Sequence, residues 1–432
     1  MNPLKKAYCR VFQFCFKVAL PVLPYREPEI LEGMSQIAET LNKKKLRKVL
    51  IVTDKGISSL GLLDHLKREL ERKEIGYVIY DDTVPNPTIS NVESARKMYL
   101  VNNCEAIIGF GGGSSMDCAK VTGARIAKPR QPISKMRGLL KVHKKLPLFF
   151  AVPTTAGTGS ETTLAAVITD DTTHHKYPIN DFFLIPNYAV LDYKVTLGLP
   201  KHITGTTGMD ALTHAVEAYI GGSTTKHTRA MAEEAVKLIK KYLKRAYDDG
   251  QDVEARKNML RAAYCAGIAF TQSYVGYVHG VAHSLGGQYS VPHGLANAVI
   301  LPYFLEEYGE TCHKRLGKLA RICDIANEND SDSVASEKFI CWVKSMNESM
   351  DIPKYITEIR EADIPKMAKH ADKESNPLYP VPKLMNAKEL EKMYYVVAGK
   401  ELEISGETDR SSYGNKQISR AAKRVLQFTK NL

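Results

Sequence analysis

Among its eight cysteines the 432-residue chain has no C-x-x-C pair and no regular spacing. Free thiols in a reducing cytoplasm are therefore expected, rather than a disulfide frame. Zinc-finger, RNA-recognition and basic-zipper patterns are also missing. A formal net charge of +12, dispersed or gathered at the chain ends, then suits a phosphate-bearing cofactor, and no nucleic-acid partner is expected. No apolar run is long enough to span a bilayer. The nearest is AYCRVFQFCFKVALPVLPY, but Lys17 interrupts it and no small-residue cleavage site follows. Residues 1–27 read as a packed N-terminal extension, with an interfacial helix as the alternative. Tryptophan occurs once, Trp342, within Phe339–Val343, which reads as helix core. What is plentiful is ordinary: 44% apolar and 25% charged residues describe a globular protein, and the length gives two or three domains.

From residue 28 to about 200, helical and strand periodicities alternate. Pro28–Leu41 reads as a helix, Lys48–Thr53 as a buried strand, Leu60–Lys73 as a helix and Gly76–Tyr80 as a strand. A turn at Val84–Thr88 leads into a helix reaching Asn102. The strand Ala106–Phe110, the turn Gly111-Gly112-Gly113-Ser114 and a helix over Ser115–Lys120 follow. Such alternation means a parallel sheet with ligands at the carboxyl ends of its strands.

GFGGGSSMDCAK is neither a strict dinucleotide fingerprint nor a P-loop. Glycines between strand and helix nevertheless let phosphate oxygens approach main-chain N–H groups. A turn that merely needs small residues is the alternative, and a second such loop weakens it: PTTAGTGSE, Pro153–Glu161, follows the strand Pro147–Val152. Asp54, after the first strand, can accept from a ribose hydroxyl and would repel a 2′-phosphate, which favours NAD over NADP. Ala165–Asp170 and Phe182–Leu191 read as strands of a smaller, hairpin-like element.

Beyond Pro200 strand patterns disappear and apolar residues recur with helical period, so a domain boundary is placed there: 28–200, then 201–398. A polar tail starts at 399, with a basic helix expected over Lys416–Lys430 and striped by Ile418, Ala422, Val425 and Phe428. The helical half holds VHGVAHSLGGQYSVPHG, Val278–Gly294. His279 and His283 are four residues apart, which places both rings on one helix face. Gly286 and Gly287 are expected to end that helix, and the chain to return through Pro292 and present His293 from a loop. GMDALTHAVEAY repeats the spacing with Asp210 and His214. A lone histidine on a helix face is ordinarily a satisfied core residue. Five ligand-type residues in two spaced pairs and a Pro-His-Gly turn instead suggest donors closing around a divalent cation, and imidazole with carboxylate suits Zn or Fe(II).

A GGGS-x-x-D-x-A-K turn, a PTTAGTGSE loop, a D-A-L-T-H-A-x-E helix and an H-x-x-x-H…P-H-G segment occur in this order. Together they resemble the iron-containing (group III) alcohol dehydrogenases over roughly residues 28–398. The resemblance implies a dehydroquinate synthase-like two-domain architecture: an α/β doubly wound dinucleotide-binding domain, an all-α metal-binding domain, and a cleft between them. It implies Asp210, His214, His279 and His293 as ligands of Fe2+ (Zn2+ being the alternative), with His283 beside the metal and able to relay a proton. On the NAD side it implies Asp54, Asn86, Gly112, Gly113, Ser114, Asp117, Thr154, Thr155, Thr158 and Lys176. A cytoplasmic homodimer acting on small primary alcohols, diols or their aldehydes is the corresponding expectation, since a divalent cation lowers the pKa of an alcohol hydroxyl and polarises a carbonyl. Zinc-dependent polyol dehydrogenases such as glycerol dehydrogenase, and sugar-phosphate cyclases of dehydroquinate synthase type, share this plan. The cyclase would need a basic phosphate pocket in the helical half, and none is visible near Asp210 or His279. A scaffold keeping a relic site is the non-enzymatic reading, and the complete ligand set argues against it.

Overall fold

Two runs with almost no polar side chains, Lys48–Val52 (KVLIV) and Ala106–Gly111 (AIIGFG), lie side by side in a sheet whose two faces are both covered. The computed structural model describes residues 1–400 with the exception of His174, so the basic helix expected over Lys416–Lys430 lies outside the described residues. In chain order the first part comprises α1 (Pro3–Ala19), β1 (Glu29–Leu31), α2 (Ser35–Lys43), β2 (Lys48–Val52), a short α3 (Lys55–Ser59), α4 (Asp64–Glu71), β3 (Gly76–Tyr80), α5 (Ile89–Val101), β4 (Ala106–Gly111) and α6 (Gly113–Ala127). Then come β5 (Gly138–Leu139), β6 (Leu148–Pro153), β7 (Ala165–Thr169), β8 (Lys176–Asn180) and β9 (Tyr188–Val190).

The main sheet is parallel throughout, in the order β1-β9-β6-β4-β2-β3. One face is packed by residues of α5 and α6, such as Val92, Met116 and Val121; α2 and α4 cover the other with Ile37, Leu41, Leu66 and Leu70. After β3 the winding reverses, so β2 and β4 are neighbours whose onward connections leave in opposite directions. Doubly wound sheets open a crevice at the carboxyl ends of such a strand pair, and Asp54 and Gly112 lie at those two ends.

The helical half runs α7 (Lys201–Ile220), α8 (Lys226–Asp248), α9 (Val253–Ser273), α10 (Tyr277–Tyr289), α11 (His293–Tyr308), α12 (Glu310–Ile322), α13 (Asp332–Ser349), α14 (Ile364–Ser375) and α15 (Ala387–Val397). α7 is its axis. From Met209 to Ile220 every residue is buried, as in a helix surrounded by others, and Gly208 lets Leu243 of α8 close on it.

Several local expectations are corrected. Pro28–Leu41 is not one helix: Glu29–Leu31 forms an edge strand paired with Tyr188–Val190, a partner some 160 residues away that no local pattern reveals. The hairpin partner of Ala165–Thr169 is Lys176–Asn180, disguised by Pro178. Within the expected strand Phe182–Leu191, Phe182–Leu184 is a 3-10 turn capped by Asp181, and Tyr188–Val190 joins the main sheet. α6 extends to Ala127, and the helix expected from Leu60 begins at Asp64, because Gly61 is left-handed (φ +68°). α10 passes through Gly286 and Gly287 and ends at Tyr289, with Ser290 left-handed as the cap. His293 is accordingly the first residue of α11 rather than part of a loop.

The loop after β6 is pressed onto the helical half. A Cβ at Gly159 (φ +62°) would stand 2.8 Å from Gly267 Cα of α9, and one at Gly157 would stand 2.7 Å from Thr207 of α7. Gly267 in turn faces Gly159 and the Thr162 hydroxyl, leaving no room for a methyl group. Gly267→Ala should therefore destabilise the protein by about 1–3 kcal/mol through overpacking, measured as a lowered thermal midpoint. An unchanged midpoint would show that loop and helix can part without cost.

Candidate metal centre and cofactor loops

Three helices each bring an i, i+4 pair to one place: Asp210 and His214 on α7, His279 and His283 on α10, His293 and Asn297 on α11. Glycines permit the approach. A Cβ at Gly294 would meet the Thr206 carbonyl at 2.7 Å, and one at Gly280 would collide with Ser375 Oγ of α14. One ligand atom from each of Asp210, His214, His279 and His293 lies within 4.8 Å of the others. Asp210 Oδ1 is 3.6 Å from His293 Nε2 and 4.0 Å from His214 Nδ1. Asp210, His214 and His279 are buried, while His293 is partly exposed. Burial pushes the pKa values of His214 and His279 down, that of His279 well below the ordinary value, and a neutral imidazole is the ligand form.

The donor set suits a cation. The Asn297 amide nitrogen lies 2.6 Å from Asp210 Oδ1 and 3.1 Å from both His279 Nε2 and His293 Nε2. An amide carries two protons and cannot serve three acceptors at once. His214 Nδ1 and Asn297 Oδ1 are buried with no hydrogen-bond partner. A carboxylate and imidazoles facing one point, with orphaned polar atoms beside it, match the ligand chemistry of Fe(II) or Zn. His283 stands just outside: its ring stacks on His293 at 5.2 Å, and its Nδ1 donates to Glu374 Oε1 at 2.6 Å.

The candidate cofactor residues gather at the carboxyl ends of the central strands. Asp54 Oδ1 caps α3 by accepting from Ile57 N (3.0 Å), and Oδ2 accepts from Ser115 Oγ (3.1 Å), which leaves lone pairs for another donor. Gly112 begins α6 with no side-chain cap, so the first N–H groups of that helix stay available to an anion. The loop lies beside this end, with Thr154 N donating to Gly111 O (3.0 Å) and a Cβ at Gly113 meeting Thr158 Cγ2 at 3.2 Å. Thr155 Oγ1 lies 4.0 Å from where a Cβ of Gly112 would stand. Asn86 N donates to Ser114 Oγ (3.4 Å), and Lys176 Nζ donates to Asn86 Oδ1 (2.6 Å). Asp117 likewise accepts one hydrogen bond on each oxygen, from Ser160 Oγ and from Val167 N, each at 2.9 Å. It ties α6 to the loop and to β7. The two groups of residues adjoin: the backbone of Gly157 meets His214, and the charge of Lys176 acts on His293.

Two family-level sequence patterns match this chain: "Iron-containing alcohol dehydrogenase" over residues 30–193, and "Fe-containing alcohol dehydrogenase family, C-terminal" over residues 204–397. The chain belongs to the iron-containing alcohol dehydrogenase family. It is therefore an oxidoreductase acting on alcohols. Alcohol dehydrogenase 4 of Schizosaccharomyces pombe is 38% identical over 373 residues, which are 84% of this chain and 87% of that protein. A solved 1,3-propanediol oxidoreductase superposes with a TM-score of 0.83 at 33% identity, over 86% of this chain and 99% of that one. Sulfoacetaldehyde reductase of Bifidobacterium kashiwanohense, solved in complex with NAD+, superposes with a TM-score of 0.77 at 26% identity, over 87% and 99% of the two chains.

Around this iron-family centre stand three residues that sequence reasoning passed over. Glu217 lies one turn beyond His214 on α7 and accepts from His279 Nδ1 (2.6 Å), Gly276 N (2.8 Å) and Val278 N (2.9 Å). It fixes the tautomer that turns His279 Nε2 toward the other donors. Burial pushes the Glu217 carboxyl up to about 7, against the pull of those N–H donors. Its i, i+3 spacing from His214 was a readable signal. Asn297 was hidden by the assignment of His293 to a loop. Glu374, which also accepts from Tyr379 Oη at 2.8 Å, lies 91 residues from His283, and nothing in its surroundings marks it. Glu217→Gln keeps the side-chain size but cannot accept all three N–H groups. Metal retention should fall about ten- to a hundredfold, measured by competition against a chelator, and unchanged retention would reduce Glu217 to a helix cap.

Proposed function

We propose that the protein is an NAD(H)-linked enzyme interconverting small primary alcohols or diols with aldehydes, in which Asp210, His214, His279 and His293 hold Fe2+, with Zn2+ as the alternative. The reading rests above all on one observation, the facing of a carboxylate and imidazole nitrogens onto a single amide nitrogen within hydrogen-bond distance. A cation bound there supplies a Lewis acid that makes an alcohol hydroxyl easier to deprotonate, and NAD+ accepts the hydride. The chain's own part is to bind, aim and move a proton. Asp54 accepts from a ribose hydroxyl and disfavours a 2′-phosphate. The start of α6 (Gly112, Gly113, Ser114) and the threonine loop (Thr154, Thr155, Thr158) donate to the pyrophosphate, while Asn86 and Lys176 border it. Asp117 holds that loop in place from behind. His283 passes the hydroxyl proton outward, steered by Glu374 through Nδ1.

The working domain limits are an extension (1–27), a cofactor domain (28–200), a metal domain (201–398) and a tail (399–432). In support, the last strand ends at Val190 and α7 starts at Lys201. We place the protein in the cytoplasm, in keeping with its free cysteines. A homodimer is the assembly we favour, as the commonest closed arrangement.

The test is an anaerobic purification with metal analysis, followed by NADH oxidation with aldehydes from acetaldehyde to butyraldehyde and lactaldehyde. The proposal expects stoichiometric iron or zinc and turnover of at least one aldehyde; a metal-free preparation with full activity would sink it. His279→Ala should abolish both metal binding and turnover while NADH still quenches intrinsic fluorescence. Asp54→Gly should weaken NAD more than NADP in kcat/KM, and an unaltered ratio would remove Asp54 from the ribose site.

A further inference from the structure

α1 is built with its polar side inward and its apolar side outward. Toward the protein, Gln13 Nε2 donates to the Tyr379 carbonyl (2.7 Å) and the Pro377 carbonyl (3.2 Å). The Arg10 guanidinium donates to the carbonyls of Val381 (2.8 Å) and Pro382 (2.7 Å). Lys5 pairs with Asp372 at 3.0 Å, and the terminal ammonium with Glu389 at 3.1 Å. Away from it, Leu4, Tyr8, Val11, Phe14, Val18 and Val22 are 60–82% exposed. The helix is fastened by these hydrogen bonds and ion pairs, by Cys9, which is buried in the core, and by Phe16, whose ring meets that of Tyr274 edge-on at 5.0 Å; its other large apolar side chains form an outward-facing stripe. Contiguous exposed apolar surface of this kind marks an interaction site.

The family patterns begin at residue 30. The solved 1,3-propanediol oxidoreductase is matched over 99% of its own length by only 86% of this chain. The catalytic body therefore does not require this face, and its occupant has to come from outside that body. Charge selects the occupant. Residues 1–26 hold Lys5, Lys6, Arg10, Lys17 and Arg26 and not one Asp or Glu. A symmetric contact with a second copy would set cation against cation. The stripe is also wider than a coiled-coil seam, since Phe14 flanks the line of Leu4, Tyr8, Val11 and Val18. At 17 residues α1 is shorter than the three to four heptads such a seam needs. A broad aromatic and aliphatic face flanked by exposed lysines is what a helix lying in the headgroup region of an anionic membrane presents. No helix of the described residues is long and apolar enough to cross a bilayer, so contact of this kind is peripheral.

We propose that α1 docks the enzyme on anionic membrane surfaces, with Leu4, Tyr8, Val11, Phe14 and Val18 entering the interface and Lys6 and Lys17 meeting lipid phosphates. Docking of the whole enzyme leaves the metal centre intact and does not rest on the catalytic reading above.

The test is flotation of the full chain with vesicles of phosphatidylcholine alone, or with about a third of the lipid as phosphatidylglycerol to supply anionic surface. The wild type is expected to float with the anionic vesicles only. A variant with Leu4, Val11, Phe14 and Val18 all changed to Ser should bind at least tenfold more weakly at unchanged activity in free solution. Lys6→Gln with Lys17→Gln should lower binding on the order of tenfold. Cys15 lies in the exposed stripe, and Cys341 is the other exposed cysteine. In a Cys341→Ser background, a solvatochromic label on Cys15 should therefore shift to the blue on anionic vesicles. Three results would overturn the proposal: failure of the wild type to float, flotation undiminished by the serine substitutions, or a lower particle mass of the serine variant in sedimentation velocity. The last would assign the face to a contact between copies.

Discussion

Helix α7 and the consecutive pair α10 and α11, which follow it only after two intervening helices, have to meet closely enough for side chains from each to reach one point, and much of the helical half is arranged around that requirement. α7 runs through the interior and sends Asp210, His214 and Glu217 from successive turns of one face. α10 supplies His279 and α11 supplies His293 and Asn297, with their backbones brought close by Gly280 and Gly294. Polar groups buried without partners are destabilising, so orphaned atoms at this junction mark a place shaped for binding rather than for packing. Glu217 gives the junction its definition, because one carboxylate holds both the start of α10 and the ring orientation of His279.

The sheet domain meets that junction through backbone. Gly157 and Gly159, in the loop after β6, lie against Thr207 of α7 and Gly267 of α9 at distances that exclude a side chain. The same loop carries the threonines beside the uncapped start of α6. A hydride moves only between closely held partners, and here the threonine-bearing loop and the helix that carries Asp210 and His214 are in direct van der Waals contact. Asp117 contributes from behind by using both oxygens to keep α6, the loop and β7 in one unit.

α1 reverses the ordinary logic of a surface helix. Its anchoring groups also belong to the surroundings of the centre: Gln13 and Arg10 hold the 377–382 segment, Tyr379 of that segment donates to Glu374, and Glu374 orients His283. A helix outside the family patterns is thus linked to the candidate proton relay through three successive hydrogen bonds. Its apolar face carries no such duty.

The sequence by itself determined the alternation of strand and helix up to Pro200, the switch to helices beyond it, and the histidine and aspartate pairs at i, i+4. Those features are written in periods of two and 3.6 residues and in short motifs, which are local properties of a chain. Only the tertiary structure decided the rest. Glu29–Leu31 becomes a strand because Tyr188–Val190 offers it an edge, and Pro178 sits inside a hairpin because Val167 pairs with it. Gly286 and Gly287 stay helical, and the helix stops only at Ser290, which takes the left-handed cap conformation. Asn297 and Glu374 take their places because helices far apart in sequence cross there. Pairings across tens to hundreds of residues leave no periodic trace in either partner, so they can be seen only once both partners are in place.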